Sequence, residues 1–402
     1  MCLETKGDHG GRSQEEEVEV EDPHAQGLEL APRCAVAQRV PALPRSQTSA
    51  HRLRNLRLVQ GPRGRRRRAV SPRMLPVAVD AMGGDRAPGE ILAGAHEAAA
   101  LGIPVVLVGP ENLDGRGDLP LIAASEVIEM DDDPATSVRK KRDSTLVRAA
   151  EAVRDGRASA MISAGNTGAT MASALLRMGR IKGVHRPAIA TPVPVPGGTP
   201  TVLLDAGANA EVQADWLVQF AVMGSVYARQ RYGIEKPKVG LLSIGEEPGK
   251  GDTLRKDAWD LLSAEPGIHF IGNVEGRDIM TDAVDVVVTD GFTGNVVLKT
   301  LEGTLKTVIK ALFGAFADPA YKEHADALMP ALLPMYATFD PDNTGGAILL
   351  GIDGVCIISH GSSSARAMVN GIKVAQEMVE TGMVDALRAA IAATTGGKED
   401  AQ

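Results

Sequence analysis

Short apolar runs alternate with segments of helical periodicity along the chain from residue 75 onward. The runs that predict β-strands are residues 77–81, 104–109, 126–129, 160–164, 188–193, 201–205, 238–244, 269–272, 284–289 and 355–359. The segments that predict helices are residues 89–101, 145–155, 167–178, 213–229, 253–263, 294–316 and 363–381. Strands that are apolar throughout and separated by helices are typical of a mostly parallel sheet covered on both faces. The pattern therefore predicts an α/β fold.

Six of the predicted strands end in small and polar residues. These six motifs are residues 80–85 (Asp-Ala-Met-Gly-Gly-Asp), 163–168 (Ser-Ala-Gly-Asn-Thr-Gly), 205–209 (Asp-Ala-Gly-Ala-Asn), 244–247 (Ile-Gly-Glu-Glu), 290–295 (Asp-Gly-Phe-Thr-Gly-Asn) and 359–364 (Ser-His-Gly-Ser-Ser-Ser). Glycine, asparagine and aspartate also favour ordinary turns, so one such end carries little weight. Ligands of parallel sheets bind beyond the carboxyl ends of the strands. Six polar ends at one edge of one sheet therefore predict an extended polar cleft.

Several of these motifs suit a phosphate group. The adjacent Gly83 and Gly84 carry no side chains that would keep an anion away from backbone N–H groups. Residues 166–168 and 293–295 lie where helices are predicted to begin, and helix N-termini bind anions through free N–H groups and the helix dipole. Thr167 and Thr293 at these positions either cap their helices or contact the ligand.

His360 is the residue best placed for acid–base chemistry. It ends a predicted strand between Ser359 and Gly361, where it would act as a general base, an oxyanion donor or a structural hydrogen-bonding group. No protein nucleophile is indicated, because Cys356 lies within an apolar run that is typical of a core. We therefore expect the substrate itself to attack, and inorganic phosphate, largely dianionic near neutral pH, needs only orientation.

Several common sites are excluded by spacing. Residues 245–251 resemble a P-loop, but three residues separate the first two glycines and no Ser or Thr follows Lys250. No predicted strand is followed by Gly-x-Gly-x-x-Gly, no Cys and His have zinc-like spacing, and Gly-x-Ser-x-Gly is missing. The sequence predicts neither a metal nor a cofactor.

Charge divides the chain into two parts. The 402 residues carry a net charge of −8. Residues 1–73 hold 14 Lys and Arg against 9 Asp and Glu, a net +5, which leaves 29 against 42, or −13, for residues 74–402. The acidic main part argues against nucleic-acid binding, and no run of eighteen apolar residues predicts a transmembrane helix. A single cysteine in this part fits a reducing cytoplasm.

Within the acidic part stands a basic cluster of four consecutive residues: Arg139, Lys140, Lys141 and Arg142. Such a cluster is either a solvated face or an anchor for an acidic partner or a phosphorylated ligand. The next residues, Asp143, Ser144 and Thr145, predict the capped start of a helix.

The first 73 residues show no lasting helical or strand period. They begin acidic and close on an arginine run at residues 63–68, and they contain no apolar stretch typical of a secretory signal. We expect a disordered extension, or a start codon assigned upstream of a true start at Met74. The predicted organisation is therefore an extension at 1–73, one α/β domain at 74–395 and a flexible tail at 396–402.

Taken together, the six motifs resemble those of the bacterial phosphate acyltransferase family. The resemblance runs from about residue 75 to 378, in order and with similar spacing, and residues 1–73 have no counterpart in it. It implies formation of acyl-phosphate from acyl-acyl-carrier protein and inorganic phosphate, a reversible step that feeds phosphatidic acid and phospholipid synthesis. It also implies a three-layer α/β/α fold, similar to isocitrate and isopropylmalate dehydrogenases, with a cleft against a second lobe.

Under this hypothesis the candidate residues take three kinds of role. The catalytic candidates are His360, Asn166, Asn209, Asn295 and Asp85. The candidates for phosphate or acyl binding are Gly83, Gly84, Gly165, Thr167, Gly168, Asp205, Thr293 and Gly294, with Asp85 and Asp205 orienting neighbouring donors. The basic cluster is expected to dock the acidic carrier protein.

The resemblance further implies a cytoplasmic homodimer that touches the membrane, where a membrane-bound glycerol-3-phosphate acyltransferase consumes the product. An apolar face of the predicted helix from Leu301 is expected to be core or dimer interface, and the Met- and Leu-rich residues 327–335 are the membrane candidate. Two other hypotheses remain open. One is a short-chain phosphotransacetylase that uses acyl-CoA, and the other is a membrane-bound scaffold without enzymatic activity.

Overall fold

A computed structural model describes residues 74–399, and side chains through residue 394. The strands are β1 (Val77–Asp80), β2 (Val105–Gly109), β3 (Leu121–Ala123), β4 (Ala160–Ser163), β5 (Ala188–Val193), β6 (Thr201–Leu204), β7 (Lys238–Leu242), β8 (His269–Val274), β9 (Val286–Val288), β10 (Ala347–Leu350) and β11 (Val355–Ile358). The helices are α1 (Gly89–Ala100), α2 (Pro134–Lys140), α3 (Thr145–Arg154), α4 (Thr167–Arg177), α5 (Ala214–Tyr232), α6 (Thr253–Ala264), α7 (Gly291–Phe316), α8 (Lys322–Phe339), α9 (Ala365–Glu380) and α10 (Met383–Glu399). The predictions for residues 1–73 and 400–402 lie outside the described residues.

All eleven of these strands form one mixed, mostly parallel sheet, in the order β3-β2-β1-β4-β11-β10-β5-β6-β9-β7-β8. Neighbours pair in parallel except at three places, where β10 pairs with β11, β5 with β10, and β6 with β5. Because of these three reversals, β6, β7, β8 and β9 run opposite to β1, β2, β3, β4 and β11. The sheet therefore consists of two parallel halves that point in opposite directions.

The prediction that all six motifs lie at one edge of the sheet is wrong. The motifs after β1, β4 and β11 lie at one edge, which we call the His360 edge. The motifs after β6, β7 and β9 lie at the opposite edge, which we call the Asp205 edge. Strands of three to six residues separate the two edges by roughly 10–20 Å.

The sheet is covered on both faces because its central strands are apolar on both sides. In β1, Val77 and Val79 belong to the core beneath α1, α5 and α9, whereas Ala78 belongs to the core beneath α3 and α4. Successive side chains of a strand point to opposite faces, so an uninterrupted apolar run can hold helices on each. The observed layers are therefore helix, sheet and helix, as the predicted α/β class requires.

One predicted strand is not formed, and five elements of the structure were not predicted. Residues 126–129 do not form a strand, and Glu126 makes only an isolated bridge to Ser144. The short strands β3 and β10 and the helices α2, α8 and α10 were not predicted. Proline explains one of these omissions, because α8 contains Pro330 and Pro334 within its span and proline normally argues against a helix interior.

Within residues 74–399, none of the helices combines the length and apolar character that a membrane crossing demands.

Candidate functional site

The His360 edge brings together the first, second and last motifs through backbone hydrogen bonds. The N–H of Asp85 donates to the carbonyl oxygen of Gly361 at 2.8 Å, and the N–H of Ser359 donates to the carbonyl oxygen of Ser163 at 2.8 Å. Gly84 has φ +107°, and a Cβ there would lie 3.0 Å from the carbonyl oxygen of Gly361. Glycine is therefore required where the three loops meet.

Beneath these loops lies a buried relay that the sequence analysis did not single out. The hydroxyl of Ser163 donates to Oδ2 of Asp80 at 2.6 Å and accepts the N–H of Gly165 at 2.9 Å. The N–H of Met82 donates to the other carboxyl oxygen at 3.2 Å. Burial raises the pKa of Asp80, and these hydrogen bonds oppose the rise. The relay sets the path of the loop that carries Asn166.

A Cβ on Gly83 would lie 2.5 Å from Oδ2 of Asp80 and 2.8 Å from the nitrogen of Gly165. The close packing of two loops therefore already accounts for this glycine. In the sequence, Asp80 could have been recognised as the acidic residue that ends the apolar run of β1.

Asn166 uses its whole side-chain amide in the structure. Its Oδ1 accepts the N–H of Ala169 at 3.0 Å, which makes Asn166 the N-cap of α4. Its Nδ2 donates to the carbonyl oxygens of Met130 at 3.0 Å and Asp132 at 3.1 Å. The interpretation of Thr167 as the cap is therefore wrong, and Thr167 is exposed as the first residue of the helix. Asn166 positions the loop before α2 against α4.

His360 is exposed and presents a defined tautomer to the cleft. The N–H of Ser362 donates to its Nδ1 at 3.3 Å, and the hydroxyl of Ser362 lies 2.9 Å from the same nitrogen. Because a backbone N–H can only donate, Nδ1 is the acceptor, and the proton of the neutral ring lies on Nε2. These hydrogen bonds thus favour a role of the ring as an N–H donor through Nε2 over a role as a general base through Nδ1.

A cavity of about 550 Å³ opens beside His360. Its polar side contains His360, Ser362, Arg86 and Arg366, and Arg366 is held by an ion pair with Asp340. Its other walls come from the end of β5 and from α7 and α8. Arg86 and Arg366 were missed by the sequence analysis, although Arg86 directly follows the first motif.

The Asp205 edge is organised by one buried carboxylate. Oδ1 of Asp205 accepts the N–H groups of Ile189, Gly207 and Ala208 at 2.9–3.1 Å, and Oδ2 accepts the N–H and the side-chain amide of Asn209. Burial raises the pKa of Asp205, and these bonds oppose the rise. The expected orienting role of Asp205 agrees with these contacts. Asn209 also donates to the carbonyl oxygen of Pro187 at 2.8 Å.

The start of α7 packs tightly against this motif. Asp290 caps the helix through the N–H of Thr293 at 2.8 Å and also pairs with the buried Arg255. The interpretation of Thr293 as the cap is therefore wrong. A Cβ on Gly294 would collide with the carbonyl oxygen of Asp205. Asn295, by contrast, is exposed on the second turn, beside Gly207.

The basic cluster lies at the end of α2 and after it, on the loop side of Asn166. Lys141 forms an ion pair with Asp132 at 2.6 Å and donates a hydrogen bond to the carbonyl oxygen of Val127. Arg139, Lys140 and Arg142 are exposed, and no carboxylate of the described residues pairs with them. Three cations therefore remain available on this surface.

No group of three or more His, Cys, Asp or Glu side chains within the described part of the chain is arranged to hold a metal ion. Cys356 is fully buried, which raises the pKa of its thiol to about 12, so the interpretation of this residue as part of the core is confirmed.

Solved structures with the same fold include a branched-chain phosphotransacylase from Enterococcus faecalis V583, with a TM-score of 0.51 and 18% identity over 76% of this chain and 99% of that chain. A phosphotransacetylase from Streptococcus pyogenes has a TM-score of 0.51 and 16% identity over 80% of this chain and 95% of that chain. At such low identity these likenesses show the fold alone.

Similarity in sequence is much higher to curated relatives. A phosphate acyltransferase from Elusimicrobium minutum is 48% identical over 328 residues, which cover 79% of this chain and 96% of the relative. A phosphate acyltransferase from Desulfitobacterium hafniense is 46% identical over 338 residues, covering 81% and 100% respectively. A family model described as a fatty acid synthesis protein matches residues 75–386. The chain therefore belongs to the phosphate acyltransferase family.

Proposed function

We propose that this acyltransferase forms acyl-phosphate from acyl-acyl-carrier protein and inorganic phosphate, reversibly, and so feeds phosphatidic acid and phospholipid synthesis. The observation that carries the proposal is the polar lining of the cleft, which includes an N–H donor of His360 and the cations Arg86 and Arg366. A set of donors without a nucleophile suits a reaction in which both the attacking group and the intermediate are anionic.

In the proposed reaction an oxygen of the phosphate dianion attacks the thioester carbonyl carbon. A C–O bond forms, the carbonyl oxygen becomes an oxyanion, and the Nε2–H of His360 donates to it. When the carbonyl re-forms, the C–S bond breaks, and the released thiolate takes up the proton that the phosphate dianion carried, so that the products are acyl-phosphate and a free thiol. Phosphate supplies the nucleophile, so the protein contributes orientation and charge stabilisation.

Backbone N–H groups and capping residues complete the proposed site. We assign phosphate or acyl contacts at the His360 edge to the glycine-rich loops, through Gly83, Gly84, Gly165, Thr167 and Gly168. Asn166 and Asp85 act by holding these loops in position. Their contacts support this role, because the amide of Asn166 is fully bonded within the protein and the N–H of Asp85 bonds to Gly361.

The residues of the Asp205 edge, which include Asn209, Thr293, Gly294 and Asn295, enter the proposed site through a homodimer. Three large apolar side chains are exposed there: Ile244 (83%), Phe292 (67%) and Val296 (50%). Exposed apolar residues in one region mark an interface. We propose that this edge of one copy faces the His360 edge of the other, so that Asn295 reaches the cleft from the partner.

The acidic carrier protein is proposed to dock on Arg139, Lys140 and Arg142. The loop before this cluster borders the cleft, because a Cβ on Gly361 would lie 2.9 Å from the Cε of Met130. A carrier bound at the cluster would therefore hold its thioester close to His360, and opposite charges would speed the encounter.

We also propose that the cytoplasmic enzyme touches the membrane through α8 and passes acyl-phosphate to a membrane-bound glycerol-3-phosphate acyltransferase. Leu328 and Leu333 are 51% exposed and Met335 is 45% exposed on this helix, and such side chains favour the bilayer interface. The hairpin of α7 and α8 also lines the cleft, and we propose that it serves as the second lobe of the fold. Flotation with phospholipid vesicles tests membrane contact, and Leu328→Glu with Leu333→Glu is expected to abolish it.

The proposed reaction is tested by mixing protein, acyl-acyl-carrier protein and phosphate, and trapping acyl-phosphate with hydroxylamine. No hydroxamate above a control without enzyme would disprove it. Acetyl-CoA in place of the carrier donor separates a short-chain phosphotransacetylase from the proposed activity. If His360→Ala protein still complemented a strain that lacks the activity, a scaffold role would replace the enzymatic one.

A further inference from the structure

One wall of the cleft is an apolar groove that the reaction described above does not use. Four side chains of α7 line it on a single helical face: Leu298, Leu301, Leu305 and Ile309. Their spacing of three or four residues extends the row over roughly 16 Å of helix. The other walls are formed by Val193 at the end of β5, by the next residue, Pro194, and by Tyr336 and Phe339 of α8.

The groove is only partly explained by packing within the chain. Leu298 and Leu301 pack on a core cluster of Val193, Leu203 and Leu242. Leu305 and Ile309 continue the same row but belong to none of the buried clusters of the described residues, and both are half-buried. Beside the apolar row, Glu302, Lys306 and Lys310 form a charged rim at the same four-residue spacing. An apolar lining with a few polar groups beside it is typical of a site for an apolar ligand.

We infer that this groove holds the acyl chain of the donor and of the acyl-phosphate product. The inference rests on the proposed function, because it uses the chemistry of the product, in which one carbonyl carbon joins the phosphate to the chain. An apolar groove that opens into the same cavity as His360, Arg86 and Arg366 is therefore continuous with the place where the chain must leave the reacting carbon. The groove accordingly selects donors by chain length, through the area that each methylene buries.

The test replaces one residue of the apolar row and compares donors of two lengths. Leu305→Trp fills the middle of the row. The control Val308→Trp adds the same side chain three residues further along α7, at a residue that is 58% exposed and does not line the groove. One helical turn of blocked groove excludes about four methylenes. Since each buried methylene contributes about fourfold, the ratio of kcat/KM for hexadecanoyl over octanoyl donors is expected to fall on the order of 100-fold. In Val308→Trp the ratio is expected to stay near that of the wild type.

A binding measurement tests the inference about the groove independently of the proposed reaction. Calorimetric titration of the full chain with decyl phosphate and with ethyl phosphate requires no turnover. We expect decyl phosphate to bind far more tightly, and Leu305→Ala, which adds no volume, to weaken its binding about tenfold. If no donor yields acyl-phosphate, the proposed function is wrong, and the titration still decides the groove.

Two results would overturn the inference. In the first, decyl phosphate binds no better than ethyl phosphate, or Leu305→Trp folds normally and leaves the donor ratio unchanged. In the second, Leu305→Trp dissociates a dimer in sedimentation without altering that ratio, which would assign the groove to a second copy of the chain.

Discussion

The hydroxyl of Ser163 lies 2.6 Å from Oδ2 of Asp80, and both residues are buried beneath the loops of the His360 edge. The same hydroxyl accepts the N–H of Gly165. One side chain thus connects the ends of β1 and β4 and sets the backbone that leads into Asn166. Because these hydrogen bonds fix the loop in advance, the loop does not need to rearrange when an anion binds.

Ser163→Ala is expected to reduce the free energy of unfolding by roughly 1–3 kcal/mol, because it removes the buried hydroxyl that donates to Oδ2 of Asp80 and accepts the N–H of Gly165. Urea unfolding of the whole chain measures the change. The matched control is Ser263→Ala, whose hydroxyl bonds to the carbonyl oxygen of Trp259 on an exposed helix turn, and which should lie within about 0.5 kcal/mol of the wild type. Equal effects of the two variants would contradict the relay.

His360→Ala is expected to lower kcat by about 100- to 1,000-fold, the range seen for removal of one oxyanion donor. Ser362→Ala keeps the backbone N–H that fixes the ring tautomer and should lose less than about tenfold. Initial rates of acyl-phosphate formation at saturating donor separate the two. Full activity of His360→Ala would remove His360 from the reaction.

Mixing two inactive variants tests the shared site of the homodimer. His360→Ala and Asn295→Ala are each expected to be inactive alone, whereas an equimolar mixture after subunit exchange should recover about one quarter of the wild-type activity, because half the dimers carry one intact site. The same mixture without exchange is the control. If exchanged dimers stay inactive while each variant keeps its fold, the two edges do not share a site.

Replacing Arg139, Lys140 and Arg142 by Glu is expected to raise KM for acyl-acyl-carrier protein more than tenfold and to leave KM for phosphate unchanged, because only the protein donor meets this surface. The matched control reverses three other exposed cations, Lys236, Lys256 and Lys373, and so changes the net charge equally. An equal rise of KM in both variants would show a general charge effect in place of docking.

Asp290→Asn is expected to reduce stability at pH 7 by roughly 1–3 kcal/mol, because it leaves the charge of Arg255 buried with one carboxylate fewer. Burial acts to raise the pKa of Asp290, but hydrogen bonds from Thr293 and Arg255 outweigh it and leave the pKa below 3.8. A carboxyl whose pKa is lowered by folding stabilises the protein at pH values above its pKa in the unfolded chain. This contribution is lost as the pH falls through its pKa in the folded protein. The difference between wild type and variant should therefore shrink below about pH 4, as urea unfolding at pH 7 and pH 3 can measure.

The local elements could be predicted because each is encoded by adjacent residues. Apolar runs located nine of the eleven strands directly, and the capping sequence at Ser144 correctly marked the start of α3. The caps at Asn166 and Asp290 were displaced by one and three residues in the prediction, because Asn, Asp and Thr all favour this position and only the backbone path decides among them. The short strand β10 was missed because four apolar residues after two glycines carry no period.

By itself, the sequence determined the alternation of strands and helices, the six polar motifs, the acidic main part and the membership of the family, since all of these depend on residue type and spacing along the chain. Only the tertiary structure decided how the motifs divide between two edges. That division results from the antiparallel pairing of β10 with β11 and β5, and of β5 with β6. An apolar run is equally apolar in both directions, so the direction of a strand is set by partners that are distant in sequence.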